Sequence, residues 1–177
     1  MTYVLVLAFG IGFVAGLRSL TAPAVIAWAA HIGWLNLHGS RLAFMGSTIA
    51  VALFSVLAIG ELIADKLPWI PKRTAPAPLL ARFLTGGLCG ASLCAAAGQS
   101  LVVGALVGGI GGVAGAFLGY HVRRSLVTNL HIKDFIVAVC EDVLAISLAL
   151  AFVAAFPVNR WLIARGLGHA AMHGARS

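Results

Sequence analysis

The sequence predicts an all-α fold, a polytopic membrane bundle of five transmembrane helices followed by a sixth C-terminal segment. Of its 177 residues, 61% are hydrophobic and 10% are charged. Several apolar stretches reach about 20 residues, the length that a helix needs to cross about 30 Å of hydrocarbon. Because so little of the chain lies outside these stretches, we expect one membrane domain over residues 1–177.

The predicted spans cover residues 3–30, 42–67, 79–97, 101–120 and 135–156. Pro157 closes the fifth of them, and the tail over residues 158–177 is either a poor sixth span or an interfacial helix. Short basic segments separate the spans, at residues 68–78 and again after residue 120. These segments carry most of the net charge of +7, which we interpret as a topology signal and not as a nucleic-acid site.

The first span is unusual because Arg18 and Ser19 precede Pro23 in its middle. Proline removes one backbone hydrogen bond and disfavours helix at the preceding residue, so we expect a kink or break over residues 19–23. Broken helices of this kind often carry substrate sites in transporters. The alternative is a simple proline kink, with Arg18 extending to the membrane interface.

The two halves of the chain are similar in sequence. Three pairs of segments match in the same order: 4–16 with 103–115, 56–61 with 136–141, and 79–84 with 162–167. The first pair is identical at eight of thirteen positions and shares GIGxVAG. We therefore predict two repeats, about 3–98 and 101–177. Three helical segments in each repeat would make the second copy inverted, the arrangement that places a binding site between halves in many transporters.

Four of the five acids lie near matched points of these halves: Glu61, Asp65, Glu141 and Asp142. A carboxylate within an apolar span usually faces a bundle interior or a watery cavity. We hypothesise that Glu61 and Glu141 meet between the halves and carry protons or coordinate a cation. The alternative is that each acid pairs with a basic residue, such as Arg18 or Arg82, and holds the bundle together.

These residues define the predicted site. Arg18 and Ser19, at the break, would supply a counter-charge or bind an anionic group beside Glu61, Asp65, Glu141 and Asp142. The function that follows is a small transporter or channel for a proton, an ion or a small charged solute. Two alternatives remain, a non-transporting scaffold or assembly subunit and a lipid-handling protein that uses Arg18 and the basic segments for headgroups. No motif indicates an enzyme, a cofactor or a metal site.

Glycines at a spacing of four indicate close helix packing. Gly12 and Gly16 form one GxxxG pair, and Gly111 and Gly115 form another. Small residues at this spacing let two helix backbones approach closely in a membrane. We therefore expect the first and fourth spans to make close crossings, with each other as one option.

The charge of the connecting segments predicts an orientation. With five spans, the two basic segments share one side of the membrane, and the positive-inside rule places them and the N-terminus in the cytoplasm. The expected partners are the lipid bilayer and an unknown small ion or solute, with no nucleic acid. A homodimer is expected from space alone, because a bundle of 177 residues has little room for an enclosed pathway.

Two motifs carry a resemblance to a known family. AGLRS at residues 15–19 and ELIADKLPWIP at residues 61–71, followed by an arginine-bearing third segment, are similar to an uncharacterised bacterial family of small membrane proteins, domain of unknown function 4126. The similarity is clear over roughly the first 100 residues and looser beyond them. Lys72 and Arg73 stand where many members have an aspartate and a tryptophan, which indicates a divergent branch. The resemblance implies a multi-span protein of the bacterial inner membrane and no particular activity.

Overall fold

A computed structural model describes residues 2–64, 75–129 and 134–164. It contains six α-helices, which are α1 (Thr2–Leu17), α2 (Thr21–His31), α3 (Thr48–Ala64), α4 (Pro76–Ala96), α5 (Leu101–Asn129) and α6 (Asp134–Ala164). A short 3₁₀ helix, Ala43–Gly46, precedes α3. Within the described residues every regular element is helical, which confirms the all-α class.

Three helices are long and apolar enough to cross a membrane, judged by length and composition. The segments concerned are Pro76–Ala96, Leu101–Thr128 and Ile136–Ala155. The apolar helices α1 and α3 are shorter, at 16 and 17 residues. At a rise of 1.5 Å per residue they are about 24 Å and 26 Å long. The helices thus identify a membrane protein, with α4, α5 and α6 as its candidate spans.

Glycine contacts bring α1, α4 and α5 together at the centre of the bundle. A methyl group added at Gly90 of α4 would overlap the carbonyl oxygen of Gly104 on α5, and one added at Gly108 would overlap that of Gly86. The two backbones are therefore in contact along this line, which only residues without a side chain permit. Because Gly90 faces Gly104 and Gly86 faces Gly108, α4 and α5 are antiparallel.

The four glycines of the predicted packing motif lie at the crossing of α1 and α5. A methyl group at Gly12 would overlap the carbonyl oxygen of Gly108, and one at Gly16 would overlap that of Gly112. In the reverse direction, methyl groups at Gly111 and Gly115 would overlap the carbonyl oxygens of Phe9 and Phe13. Residue numbers rise together along both helices. The helices α1 and α5 are therefore parallel.

This parallel crossing corrects the predicted inverted repeat. Inverted copies would place their first helices in opposite directions, whereas α1 and α5 lie side by side in the same direction. The motif GIGxVAG forms a packing surface, and small-residue surfaces can pack in parallel as well as antiparallel. The similarity of residues 4–16 and 103–115 therefore corresponds to a shared packing surface. It does not determine orientation.

The direction of α1 also corrects the predicted topology. Near its N-terminal end, Val4 packs with Cys94 and Val107, which lie close to the turn between α4 and α5. The other end of α1 packs against residues 112–116 of α5, and Arg123 lies further along α5 in the same direction. The N-terminus of α1 and Arg123 are therefore at opposite ends of the bundle. They cannot both be cytoplasmic if α1 crosses the membrane.

The break after α1 explains this difference. We expected residues 3–30 to cross as one span, but α2 pairs with α3 in an antiparallel arrangement. Glu61 of α3 contacts the start of α2, and Trp28 Nε1 donates a hydrogen bond of 3.0 Å to Ser55 Oγ. The C-terminal end of α3 therefore lies beside the break. The helix α4 also begins on this side of the bundle and is antiparallel to α5.

Two helix ends also lie beyond their predicted positions. The helix α5 continues to Asn129, nine residues past the predicted end at residue 120, so Arg123 and Arg124 are on a helix and not in a loop. The helix α6 continues through Pro157 to Ala164 instead of ending at the proline.

We predict that Gly12→Ala destabilises the protein, whereas Gly60→Ala does not. A methyl group at Gly12 overlaps the backbone of α5, and overpacking of this kind typically costs about 1–3 kcal/mol. Gly60 is helical and has open space at its Cβ position, so alanine there should stabilise α3 by up to about 1 kcal/mol. Unfolding in detergent, followed by circular dichroism, measures both. Midpoints that shift equally in the two variants would contradict the glycine crossing.

Candidate functional site

The chain leaves the helical conformation at residues 18–20, between α1 and α2. The amide of Arg18 still donates to Val14 O at 2.8 Å, and the amide of Ala24 donates to Leu20 O at 3.1 Å. Pro23 is therefore the third residue of α2, where an amide has no helical acceptor and proline costs no helical bond. The break lies near its predicted position, and the proline helps to begin α2.

Glu61, from the C-terminal part of α3, binds the start of α2. Its Oε1 accepts a hydrogen bond of 2.8 Å from the Ser19 amide and one of 2.5 Å from the Ser19 hydroxyl. Its Oε2 accepts a hydrogen bond of 2.9 Å from the Leu20 amide. Both carboxylate oxygens thus satisfy amides that the break leaves without helical acceptors. Hydrogen bonds to a carboxylate are stronger than neutral ones.

Arg82, from α4, binds the end of α1. Its Nε donates a hydrogen bond of 2.9 Å to Gly16 O, and its Nη1 donates one of 3.3 Å to Pro78 O. Gly16 belongs to the last turn of α1, whose carbonyls have no helical donors. Arg82 is almost fully buried, so its charge acts on this carbonyl with little screening by water.

Arg18 lies between these contacts and forms an ion pair with Asp142 of α6. It is 0% exposed and is the largest fully buried side chain among the described residues. Asp142 is buried too, at 7% exposure. A charge at the centre of a membrane helix costs roughly 2.5–3.5 kcal/mol on insertion scales, so a buried residue of this kind needs a partner of opposite sign. The pair joins the break to α6.

The charges match the partial charges of the two helix ends. A helix carries about half a positive charge at its N-terminus and half a negative charge at its C-terminus. The cation Arg82 lies at the C-terminal end of α1, and the anion Glu61 lies at the N-terminal end of α2. We call Arg18, Ser19, Glu61, Arg82 and Asp142 the break cluster. Through these contacts residue 16 binds α4, residue 18 binds α6, and residues 19 and 20 bind α3.

Glu141 has a different environment from its predicted partner Glu61. Its Oε2 lies 3.9 Å from Nη1 of Arg123 on α5, at the edge of the break cluster next to Asp142 in sequence. Glu61 binds the start of α2 instead. The two carboxylates thus have different neighbours, residues 19 and 20 for Glu61 and Arg123 for Glu141, and Asp142 of α6 pairs with Arg18.

Sequence reasoning did not place every site residue correctly. Arg82 appeared only as a counter-ion, although a charge within a glycine-rich apolar helix is the same signal that identified Glu61. Arg123 was assigned to a loop because its helix extends further than its apolar run. Asp65, the remaining predicted site residue, lies outside the described residues.

A sequence model of one family, described as "Domain of unknown function (DUF4126)", matches residues 5–175 of the chain. The chain belongs to the DUF4126 family. The match confirms the resemblance carried by residues 15–19 and 61–71 and extends it over almost the whole chain. Comparisons of this DUF4126 protein with curated proteins and with solved structures found no match.

We predict that Asp142→Asn destabilises the DUF4126 protein by about 3–5 kcal/mol, because it removes a negative charge that is paired with the buried Arg18. The double variant Arg18→Met, Asp142→Leu should recover most of this loss, since an apolar pair needs no charge compensation there. Arg41→Met, on the exposed loop before α3, is the control and should change stability by less than about 0.5 kcal/mol.

A double-mutant cycle of unfolding free energies in detergent measures the coupling between Arg18 and Asp142. A variant Asp142→Asn that unfolds at the same midpoint as the wild type would contradict the ion pair.

Proposed function

We propose that this DUF4126 protein is a small membrane transporter or channel for a proton, an ion or a small charged solute. The proposed site is the break cluster between α1 and α2. The observation that carries the proposal is the convergence of charged side chains from three helices on one interrupted backbone segment. Interrupted helices with polar ends are a recurrent form of substrate site in transporters.

The energetic cost of the break cluster supports a functional role. Replacing a buried ion pair by apolar residues of similar volume is often neutral or stabilising, so such a pair is a poor way to gain stability. Arg18 and Asp142 are buried in a chain with only 5 acidic residues. A proline alone would suffice to bend a helix. Ionisable residues inside membrane helices commonly mark pathways for ions or protons.

Glu61 offers a chemical basis for movement of the site. While it is ionised, it accepts three hydrogen bonds from residues 19 and 20. A proton or a cation on the carboxylate would neutralise its charge and weaken those bonds, each worth about 1.5–3 kcal/mol to a charged group and about 0.5–1.5 kcal/mol to a neutral one. We infer that loading of Glu61 releases the start of α2, which couples ion binding to opening.

A hydroxyl beside the break is available to a transported species. Thr21, the first residue of α2, is buried, and its Oγ1 makes no hydrogen bond within the described part of the chain. Buried polar atoms normally have a partner, whether protein or water. We propose that Thr21 Oγ1 contacts the ion or solute when the site opens.

The proposal includes a location. The protein lies in the inner membrane of a bacterium, with the end of α5 that carries Arg123 and Arg124 in the cytoplasm, following the positive-inside rule. Because the N-terminus of α1 lies at the opposite end of the bundle, this orientation places it outside. This replaces the expected cytoplasmic N-terminus.

Flux in reconstituted liposomes tests the proposal. Proton entry is followed with an entrapped pH dye under an imposed potential, and Na⁺, K⁺ and Cl⁻ are tested in parallel. We expect the wild-type protein to conduct one of these ions and Glu61→Gln to lower the rate about tenfold or more, because a neutral amide can neither take up a proton nor attract a cation and the loading step is lost. Arg41→Gln, which removes an exposed charge away from the site, should leave the rate within twofold of the wild type.

Two outcomes would contradict transport. One is a wild-type flux equal to that of protein-free liposomes for every ion, and the other is an unchanged flux in Glu61→Gln. A second candidate function, a non-transporting scaffold, is favoured by one observation, the complete burial of Arg18 against Asp142. A scaffold predicts no flux in a folded wild-type protein and a loss of stability in the variants of the break cluster.

A further inference from the structure

A second feature of the molecule is an apolar groove between α5 and α6, with a volume of about 320 Å³. The helix α1 contributes Phe13 and Leu17 to its lining, and the remaining lining residues come from the C-terminal half of α5 and the first half of α6. Ligand sites typically have volumes of about 300–1,000 Å³ and mainly apolar walls. The groove therefore has the size and chemistry of a site for an apolar ligand.

The groove opens towards lipid. Leu118 and Val122 of α5, together with Ile136 and Leu144 of α6, line it and are each about half exposed. Exposed apolar residues on membrane-spanning helices face hydrocarbon chains. A lipid can therefore enter the groove sideways from the bilayer without crossing water.

The length of the groove fits one leaflet. Along α6 it extends from Ile136 to Leu148, a rise of about 18 Å over 12 residue steps, and the part beyond Glu141, which lies beside Arg123, is about 11 Å long. The hydrocarbon core is about 30 Å thick, so one leaflet contributes about 15 Å. The part of the groove between the level of Arg123 and Leu148 therefore accommodates part of one acyl chain within a single leaflet.

The length of α5 separates Arg123 from Leu101 by about one hydrocarbon thickness. From Leu101, the first residue of α5, to Arg123 there are 22 residue steps, or about 33 Å of helix. This distance is close to the thickness of the hydrocarbon core, so Arg123 reaches one interface when Leu101 is at the other. Arg123 lines the groove, and the neighbouring Arg124 is exposed.

Arg123 can bind a phosphate and retain its carboxylate partner. Its guanidinium has five N–H donors, and the side chain is 21% exposed. Its Nη1 lies 3.9 Å from Glu141 Oε2, which orients the guanidinium at the edge of the groove. With Arg124 the local charge is positive overall, which complements an anionic headgroup.

We infer that the groove between α5 and α6 binds one acyl chain of an anionic phospholipid, whose phosphate contacts Arg123. This site is separate from the break cluster, and the inference does not depend on transport. Glu141 lines the groove, and the next residue, Asp142, pairs with Arg18. A lipid in the groove therefore packs against the segment of α6 that binds Arg18.

Native mass spectrometry of the full-length protein, delipidated in detergent and titrated with phosphatidylglycerol, tests the inference. We expect one phosphatidylglycerol to bind each wild-type chain more tightly than phosphatidylcholine. Leu144→Trp fills the groove and should weaken binding about tenfold or more. Leu150→Trp is the matched control, because Leu150 is as exposed as Leu144 but lies outside the groove lining, and its binding should stay within twofold of the wild type.

Arg123→Gln tests the contact with the headgroup separately from the contact with the acyl chain. It should lower affinity for phosphatidylglycerol about threefold to tenfold and abolish the preference over phosphatidylcholine. Circular dichroism checks the fold, and Arg123→Gln keeps the test informative if Leu144→Trp does not fold. Equal lipid binding by Leu144→Trp and Leu150→Trp would overturn the inference. It would also be overturned by a disulfide dimer through Cys140 formed efficiently in membranes, because Cys140 lines the groove and a second copy would then occupy it.

Discussion

The interruption between α1 and α2 at residues 18–20 depends on two charges of opposite sign. Arg82 binds the last turn of α1 through Gly16 O, and Glu61 binds the first amides of α2. Without them, an interrupted helix inside a membrane would leave amides and carbonyls with no partner, and each such group costs several kcal/mol. The arrangement of α3 and α4 around the break follows from this requirement, because these helices supply the two charges.

The helices beside the break pack mainly through small residues. The helices α1, α4 and α5 approach through glycines, so their backbones are in contact and dispersion forces hold them together. The charged groups collect at one end of α1, where α6 adds Asp142 to pair with Arg18. A rigid unit beside a polar interruption is the arrangement that allows one part of a protein to move against another.

The sequence predicted the helical class, the break and the glycine crossing, because each depends on local features such as apolar length, Pro23 and residue spacing. It did not predict direction. Residues 4–16 and 103–115 are similar because both form a packing surface, and this similarity does not indicate whether the two helices are parallel or antiparallel. The sequence also did not predict which charged residues pair with each other. Glu61, Glu141 and Asp142 satisfy the same rule for intramembrane acids, and the pairing of Asp142 with Arg18 depends on the rotation of α6, which the sequence does not indicate.

Hydrogen exchange of the Ser19 and Leu20 amides tests most directly whether Glu61 holds the break. In the wild-type protein we expect these two amides to exchange as slowly as helical amides of α1, because both donate to the Glu61 carboxylate. In Glu61→Gln their exchange should become about tenfold faster or more, while the amides of α1 and α4 keep their rates. Equal exchange at residues 19 and 20 in the two proteins would contradict this account.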